Sequence, residues 1–327
     1  MWFISAGERV SVDSELAWAG RLVERALGRI EESGPPRDYH PTVRVRVEAS
    51  RAAFPVEGLR TITRGASSDG RRTVLRDVGG SGFDLLLEVE GDGPDGVLSV
   101  SARYRPGTLS RAANLALSGR FALLAGQVLV HYPVLWRAGW RGRVPLHVAV
   151  VATSEGTALL AGPGGIGKST VLVGLLAEGA FATADNLCCA DHERCFGVVE
   201  PLRLDRATAG GGRGRTSHGR VDRPLPARVA ELTPDRLVVL ERGPQTEMSV
   251  IEPEEAARTV VAGTYAAGEL RRYWAFAATL ALATGRGDAH PRIGETARAI
   301  AGNLPCLRVR VGDHVSVSAA ELSGVLR

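Results

Sequence analysis

LLAGPGGIGKST, residues 159–170, is the stretch on which the reading of this chain turns. Gly162, four intervening residues and then Gly167-Lys168-Ser169 satisfy the P-loop pattern G-x-x-x-x-G-K-[ST]. Glycines at 162, 164, 165 and 167 allow positive φ, so successive backbone N–H groups can turn inward around an anion. A helix starting there adds free N–H groups and its positive dipole end to the same cradle. The nucleotide-binding set is then Gly162, Gly164, Gly165, Ile166, Gly167, Lys168, Ser169 and Thr170. Lys168 reaches the β- and γ-phosphates, and the Ser169 hydroxyl is positioned to ligate Mg²⁺. Residues 157–161 read as a short buried strand and 169–178 as a helix, the context this motif requires. A plain glycine-rich turn is the competing reading, and composition weighs against it. Of 40 basic residues Lys168 is the one lysine, and the other 39 are arginine. A compact ammonium fits between two phosphates where a planar guanidinium does not. The implied ligand is a nucleoside triphosphate with Mg²⁺.

The 327 residues are 44% hydrophobic and 23% charged, which suits a globular chain of one large or two ordinary domains. The net charge of +4 is mild, and its arginines form no concentrated tract, so nucleic acid is not an indicated partner. The first residues lack a basic region followed by a long apolar core, and no uncharged apolar run reaches roughly 18 residues. No membrane association and a cytoplasmic location are therefore expected. Cys188, Cys189, Cys195 and Cys306 are too few and too clustered for a disulfide framework. With His192 they raise a zinc reading, but vicinal cysteines without a C-x-x-C pair make a poor tetrahedral site. Reduced, buried thiols on a strand are the better reading.

Taken in order, residues 1–130 read as a small α+β module and 131–327 as the domain that carries the P-loop. An edge strand over 1–10 leads into a helix over 15–31, capped by Asp13 or Ser14 and ended by Gly34-Pro35-Pro36. Residues 42–48 alternate strictly, the mark of a half-buried strand, and 73–78, 83–90 and 97–104 add further strands. No catalytic constellation appears there. Residues 109–130 read as a buried helix ended by Tyr132-Pro133, with Trp136 and Trp140 following in an arginine-rich turn as packing residues. Residues 144–151 form a strand joined by the turn 154–156 to the strand before the P-loop. After the P-loop helix, 180–184 is a strand ending at Asp185, where an acid beside a P-loop holds Mg²⁺ or takes a proton; a turn aspartate is the plain alternative. Residues 188–190 and 195–199 form a ribbon. The glycine- and arginine-rich stretch 207–226 is either a mobile flap or plain disorder. Residues 236–241 form a strand ending in a second acid, Glu241. Helices beginning at Ile251, over 270–284 and over 293–303, a strand over 307–311 and a helix over 319–326 complete the chain.

These residues resemble the kinase domain of HPr kinase/phosphorylase and its relatives. His147 lies 21 positions before Lys168, as the family's histidine does on the strand ahead of its P-loop. GPGGIGKST, GLLAEGAFATADN (174–186), LVVLER (237–242) and PCLRVRV (305–311) carry the rest of the likeness, which spans about 130–327. The resemblance implies an α/β fold: a P-loop kinase domain of HPr-kinase type with a mixed sheet, preceded by the α+β module. It implies ATP- and Mg²⁺-dependent phosphorylation of a serine hydroxyl on a peptide or protein. Carried over by position, Lys168 and Ser169-bound Mg²⁺ neutralise the phosphates, Asp185 is the base and a metal ligand, and His147 is an active-site polar group. It also implies a tendency to homo-oligomerise, although no interface is legible in the residues. Asn186 stands where the family has a second aspartate and Ala152 where its strand carries an aspartate, and the long signature tied to HPr recognition has no match. The expected acceptor is therefore another peptide, nearest the subgroup acting on precursors of ribosomally made natural products. A small-molecule kinase or ligase on the same scaffold, or a non-enzymatic ATP-binding regulator, are the alternatives.

Overall fold

The computed structural model describes residues 1–28, 39–91, 93–204, 220–244 and 247–311. The chain forms two compact units of mixed α/β structure. Met1–Gly142 with Arg271–Pro291 make the first, and the described residues of Arg143–Gly214, Arg220–Leu270 and Arg292–Arg327 make the second.

The first unit begins with β1 (Trp2–Ser5) and β2 (Glu8–Ser14), paired antiparallel, rather than with a strand running into a helix. The reason is the two-residue turn Ala6-Gly7, where both residues take positive φ as a tight hairpin requires. α1 (Ala17–Leu27) then crosses to β3 (Val43–Glu48), which lies parallel to β2. No side chain caps α1; Ser14 Oγ turns to the Leu16 carbonyl instead. α1 ends at Leu27, short of the expected residue 31, because Gly28 takes a left-handed conformation (φ 76°) and caps it; the Gly-Pro-Pro stretch lies outside the described residues. β3 alternates buried and exposed residues, as its sequence requires. β4 (Arg60–Thr63), β5 (Ala66–Ser68), β6 (Arg72–Leu75), β7 (Phe83–Glu90) and β8 (Val97–Tyr104) complete an eight-stranded sheet in the order β1-β2-β3-β8-β7-β6-β5-β4.

The apolar run after β8 is not one buried helix. It divides into α2 (Thr108–Ala116), α3 (Ser118–Gly126), a π turn at Gln127–His131 and α4 (Tyr132–Gly139). α2 buries nothing, because Ser110, Arg111 and Asn114 interrupt its apolar face, and Leu109, Leu115 and Leu117 are exposed. Nor does Tyr132-Pro133 stop the run. The π turn's longer bond, Tyr132 N–H to the Gln127 carbonyl, carries the helix past the proline. Trp136 and Trp140 meet edge to face at 4.8 Å. Among the described residues no single helix is long and apolar enough to cross a membrane.

In the second unit the expected strand over 144–151 is two strands in two sheets. β9 (Val144–Leu146) and β10 (Ala149–Thr153) are separated by His147 and Val148. β11 (Gly156–Ala161), α5 (Lys168–Ala177), β12 (Phe181–Ala184), β13 (Cys188–Ala190), β14 (Cys195–Gly197), β15 (Leu202–Leu204), β16 (Val221–Arg223), β17 (Glu231–Leu232), β18 (Arg236–Arg242), β19 (Glu247–Val250), α6 (Pro253–Ala266), α7 (Gly268–Thr284, which belongs to the first unit from Arg271 on), α8 (Ile293–Asn303) and β20 (Cys306–Val311) follow. The main sheet runs β12-β10-β11-β18-β20-β19, with β11, β18 and β20 parallel and the flanking strands antiparallel. β9 joins the smaller sheet β17-β14-β13-β9. An unbroken apolar run buried throughout suits either sheet, so its pattern does not mark the break. Leu160, Val238, Leu240 and Val309 from the parallel strands pack with Val171, Leu172 and Leu175 of α5.

Cys188 and Cys189 on β13 and Cys195 on β14 are buried free thiols, as is Cys306. The stretch 207–226 lies outside the described residues up to 219 and re-enters as β16, and the expected helix over 319–326 lies outside them entirely.

The close passage of β14 against β12 leaves no room at Gly197, where a Cβ would lie 2.1 Å from the Thr183 carbonyl oxygen. Gly197→Ala is expected to destabilise the chain by about 1–3 kcal/mol or more, read as a lower denaturant midpoint. An unchanged midpoint would contradict this packing.

Candidate functional site

β11 ends at Ala161, and the glycine-rich loop turns the chain into α5 through positive φ at Gly162, Gly165 and Gly167. Gly162 has to be glycine for space as well, since a Cβ there would lie 2.8 Å from the Leu240 carbonyl of β18. A Cβ on Gly164, Gly165 or Gly167 would meet nothing within 4 Å, so this side of the loop faces open space. α5 begins without a side-chain cap, which leaves its first N–H groups facing that space. Ile166 is buried in the core beneath, so only its backbone is offered to a ligand, and Thr170 is exposed on the first turn of α5.

Lys168 is buried and folded back on its own loop, donating from Nζ to the Gly162 carbonyl at 2.8 Å and the Pro163 carbonyl at 3.3 Å. Burial lowers its pKa to about 8. Ser169 Oγ donates to Asp185 Oδ2 at 3.0 Å and so ties the first turn of α5 to the residue following β12. Asn186 Nδ2 donates to the same oxygen at 3.0 Å and the Arg203 backbone N–H at 3.4 Å. Asp185 Oδ1 is buried with no hydrogen-bond partner. Burial raises the pKa of Asp185, against the pull of the Ser169 hydroxyl, the Arg203 N–H and the positive charges of Arg203 and Lys168.

His147 sits at the break between β9 and β10 rather than within a strand. Its backbone N–H donates to Thr264 Oγ1 of α6 at 3.0 Å, while its buried Nδ1 has no partner. Burial, followed by the nearby Lys168 charge, lowers the pKa of the ring to about 4, so the imidazole is neutral at physiological pH. Gly263 lets α6 come this close. A Cβ there would lie 3.3 Å from the Gly162 carbonyl and 3.9 Å from His147 Nδ1.

Three charged residues at this site escape a reading of the sequence. Glu200 accepts from the Asn186 backbone N–H at 3.2 Å and lies 3.6 Å from the Arg203 guanidinium, which also pairs with Glu269. Burial pushes Glu200 up to about 8. Burial would also raise Glu269, but the Arg203 charge together with hydrogen bonds from its own backbone N–H and from Arg203 outweighs it and leaves that carboxyl lowered. The available signal was the embedding of Glu200 and Arg203 in the otherwise apolar run VVEPLRL, where unpaired charge is untenable. Two other positions lie elsewhere. Ala152 is mid-strand in β10, opposite Thr157 and Phe181. Glu241 is half exposed in ion pairs with Arg308 and Arg310.

Among the described residues no cluster of three or more His, Cys, Asp or Glu forms a metal cage. Mg²⁺ needs none, since it keeps several waters and binds through one or two protein oxygens together with phosphates. The Ser169 hydroxyl and the unpartnered Asp185 oxygen fit that demand, and the open glycine loop fits a phosphate chain.

No family model and no curated protein matches the chain. Among solved structures it is similar to the HPr(Ser) kinase/phosphatase from Coxiella burnetii, with 12% identity over 56% of this chain and 91% of that one, at a TM-score of 0.26. So slight an overlap leaves the functional reading to the geometry of the site.

The burial of His147 makes a direct expectation. Its imidazole should titrate by NMR with a midpoint of about 4, against the ordinary 6.5. The unfolded ring takes its proton first, so this residue destabilises the fold as pH falls from 6.5 through 4. A midpoint near 6.5 would contradict the buried, unpartnered ring.

Proposed function

We propose that the second unit is a phosphotransferase that binds ATP with Mg²⁺ at the glycine-rich loop and phosphorylates a hydroxyl. The observation that carries this reading is the unpartnered buried oxygen of Asp185, beside the Ser169 hydroxyl and at the foot of an open glycine cradle. A buried carboxylate oxygen left unpaired is costly unless something else meets it, and a cation or an acceptor hydroxyl would do so.

When bound, ATP and Mg²⁺ supply the transferable phosphoryl group and the neutralising dication. The loop N–H groups and the start of α5 would hold the phosphates, with Lys168, whose Nζ donates to two loop carbonyls, supplying positive charge beside them. Ser169 and Asp185 would hold the metal. The unpartnered Oδ1 of Asp185 is also placed to take the proton of the acceptor hydroxyl. His147, neutral and with Nδ1 unused, is available to accept a hydrogen bond from the acceptor. The acceptor class is the serine of a peptide or protein, on the residues that resemble the HPr-kinase group, with a small molecule as the alternative.

Mass spectrometry after incubation with ATP, Mg²⁺ and candidate acceptors tests the reading. ADP should form together with an acceptor heavier by one phosphoryl group. Asp185→Asn should lower turnover about 10²–10⁴-fold while nucleotide affinity in the absence of Mg²⁺ persists. Full turnover in that variant would remove Asp185 from the mechanism, and nucleotide binding without transfer to any hydroxyl would favour a regulatory role.

A further inference from the structure

The first unit contains a cavity of about 600 Å³ that the phosphotransfer reading does not use. It lies where the start of α1, the end of β3, the end of β8 and the α2–α3 region come together. One wall is aromatic. Trp18 meets Tyr104 edge to face at 5.0 Å, Tyr104 lies 5.5 Å from Phe121, and Phe121 closes back on Trp18 at 6.1 Å. Phe83, fully buried, stacks behind them at 6.3 Å from Phe121. The three lining rings are only half buried, and Leu115 beside them is 75% exposed. This is apolar surface held in place by aromatic packing and left uncovered.

The rim decides what this surface can take. Arg51 and Arg111 line the cavity, are exposed, and among the described residues make no side-chain hydrogen bond or ion pair. The acid of the lining, Glu48, is already neutralised by Arg103 at 2.7 Å. Tyr104 accepts at its hydroxyl from Asn114 at 3.2 Å and keeps its own proton to donate. An aromatic wall by itself would suit an organic cation, but two unpaired guanidinium groups repel one and attract an anion. The volume lies within the ordinary range of about 300–1,000 Å³ for small-molecule sites, and a mostly apolar lining with a few convergent donors is their usual make-up.

We propose that the first unit carries a second binding site, for a small organic acid with a flat apolar body. The body lies against Trp18, Tyr104, Phe121 and Leu115, and the carboxylate or sulfonate is held by Arg51 and Arg111. The site is independent of nucleotide binding by the second unit.

Anilinonaphthalene sulfonate, an aromatic sulfonate whose fluorescence rises on binding, is the probe. The full chain should bind it saturably at one site, and phenylacetate should displace it while phenylacetamide does not. Replacing both arginines, Arg51→Ala with Arg111→Ala, should weaken binding about tenfold or more. Leu115→Trp, which fills the cavity from an exposed helix position, should abolish it. An unchanged thermal midpoint shows that each variant is folded, and nucleotide binding should be unaffected. Equal displacement by the amide, or undiminished binding in the double-arginine variant, overturns the proposal. Displacement by an acidic-aromatic tripeptide but not by phenylacetate also overturns it, because it would give this face to a polypeptide partner.

Discussion

The hydrogen bond from Ser169 to Asp185 is the constraint on which the candidate site depends. It joins the first turn of α5 to the residue that follows β12. Asp185 gathers three donors on one oxygen and none on the other. That asymmetry distinguishes it from a structural aspartate, whose oxygens would both be satisfied. The carboxylate is also held rigidly by its neighbours. Asn186 bonds to Asp185 through its side chain and to Glu200 through its backbone, Glu200 faces Arg203, and Arg203 pairs with Glu269. A linked set of buried charges is costly to break at any one member, and this fixes the orientation of the free oxygen.

The division of β9 from β10 has the same consequence on the other side of the loop. One strand belongs to the small sheet and the other to the main sheet, so the two residues between them are released from both ladders. His147 is thereby set against Thr264 and Gly263 of α6, and Gly263 lies beside the Gly162 carbonyl as well. Its neutral state follows from burial and from the Lys168 charge, so the lysine that would meet phosphates also keeps the imidazole basic nitrogen unprotonated.

Much of this arrangement is written locally. The glycine spacing, the strand before it, α5 and the placement of Asp185 directly after β12 are short-range features, and each follows from residue type and period. The hairpin β10–β11 and the alternating β3 are legible in the same way. What is not legible depends on tertiary partners. The β9–β10 break lies inside a run that is apolar throughout, where periodicity carries no information about which sheet is joined. The exposure of α2 and the π turn that carries the chain through Pro133 depend on how neighbouring helices meet. Glu200, Arg203 and Glu269 are separated by up to 69 positions in sequence, and only the fold makes them a group.

The central claim is that the glycine-rich loop, Lys168 and the Ser169–Asp185 pair together form a Mg·ATP site. Calorimetric titration of the full chain with ATP, in the presence and absence of Mg²⁺, tests it most directly. The account predicts one site whose affinity rises with Mg²⁺ and collapses in Lys168→Ala. Binding that ignores both the metal and the lysine, or no ATP binding at all, would contradict it.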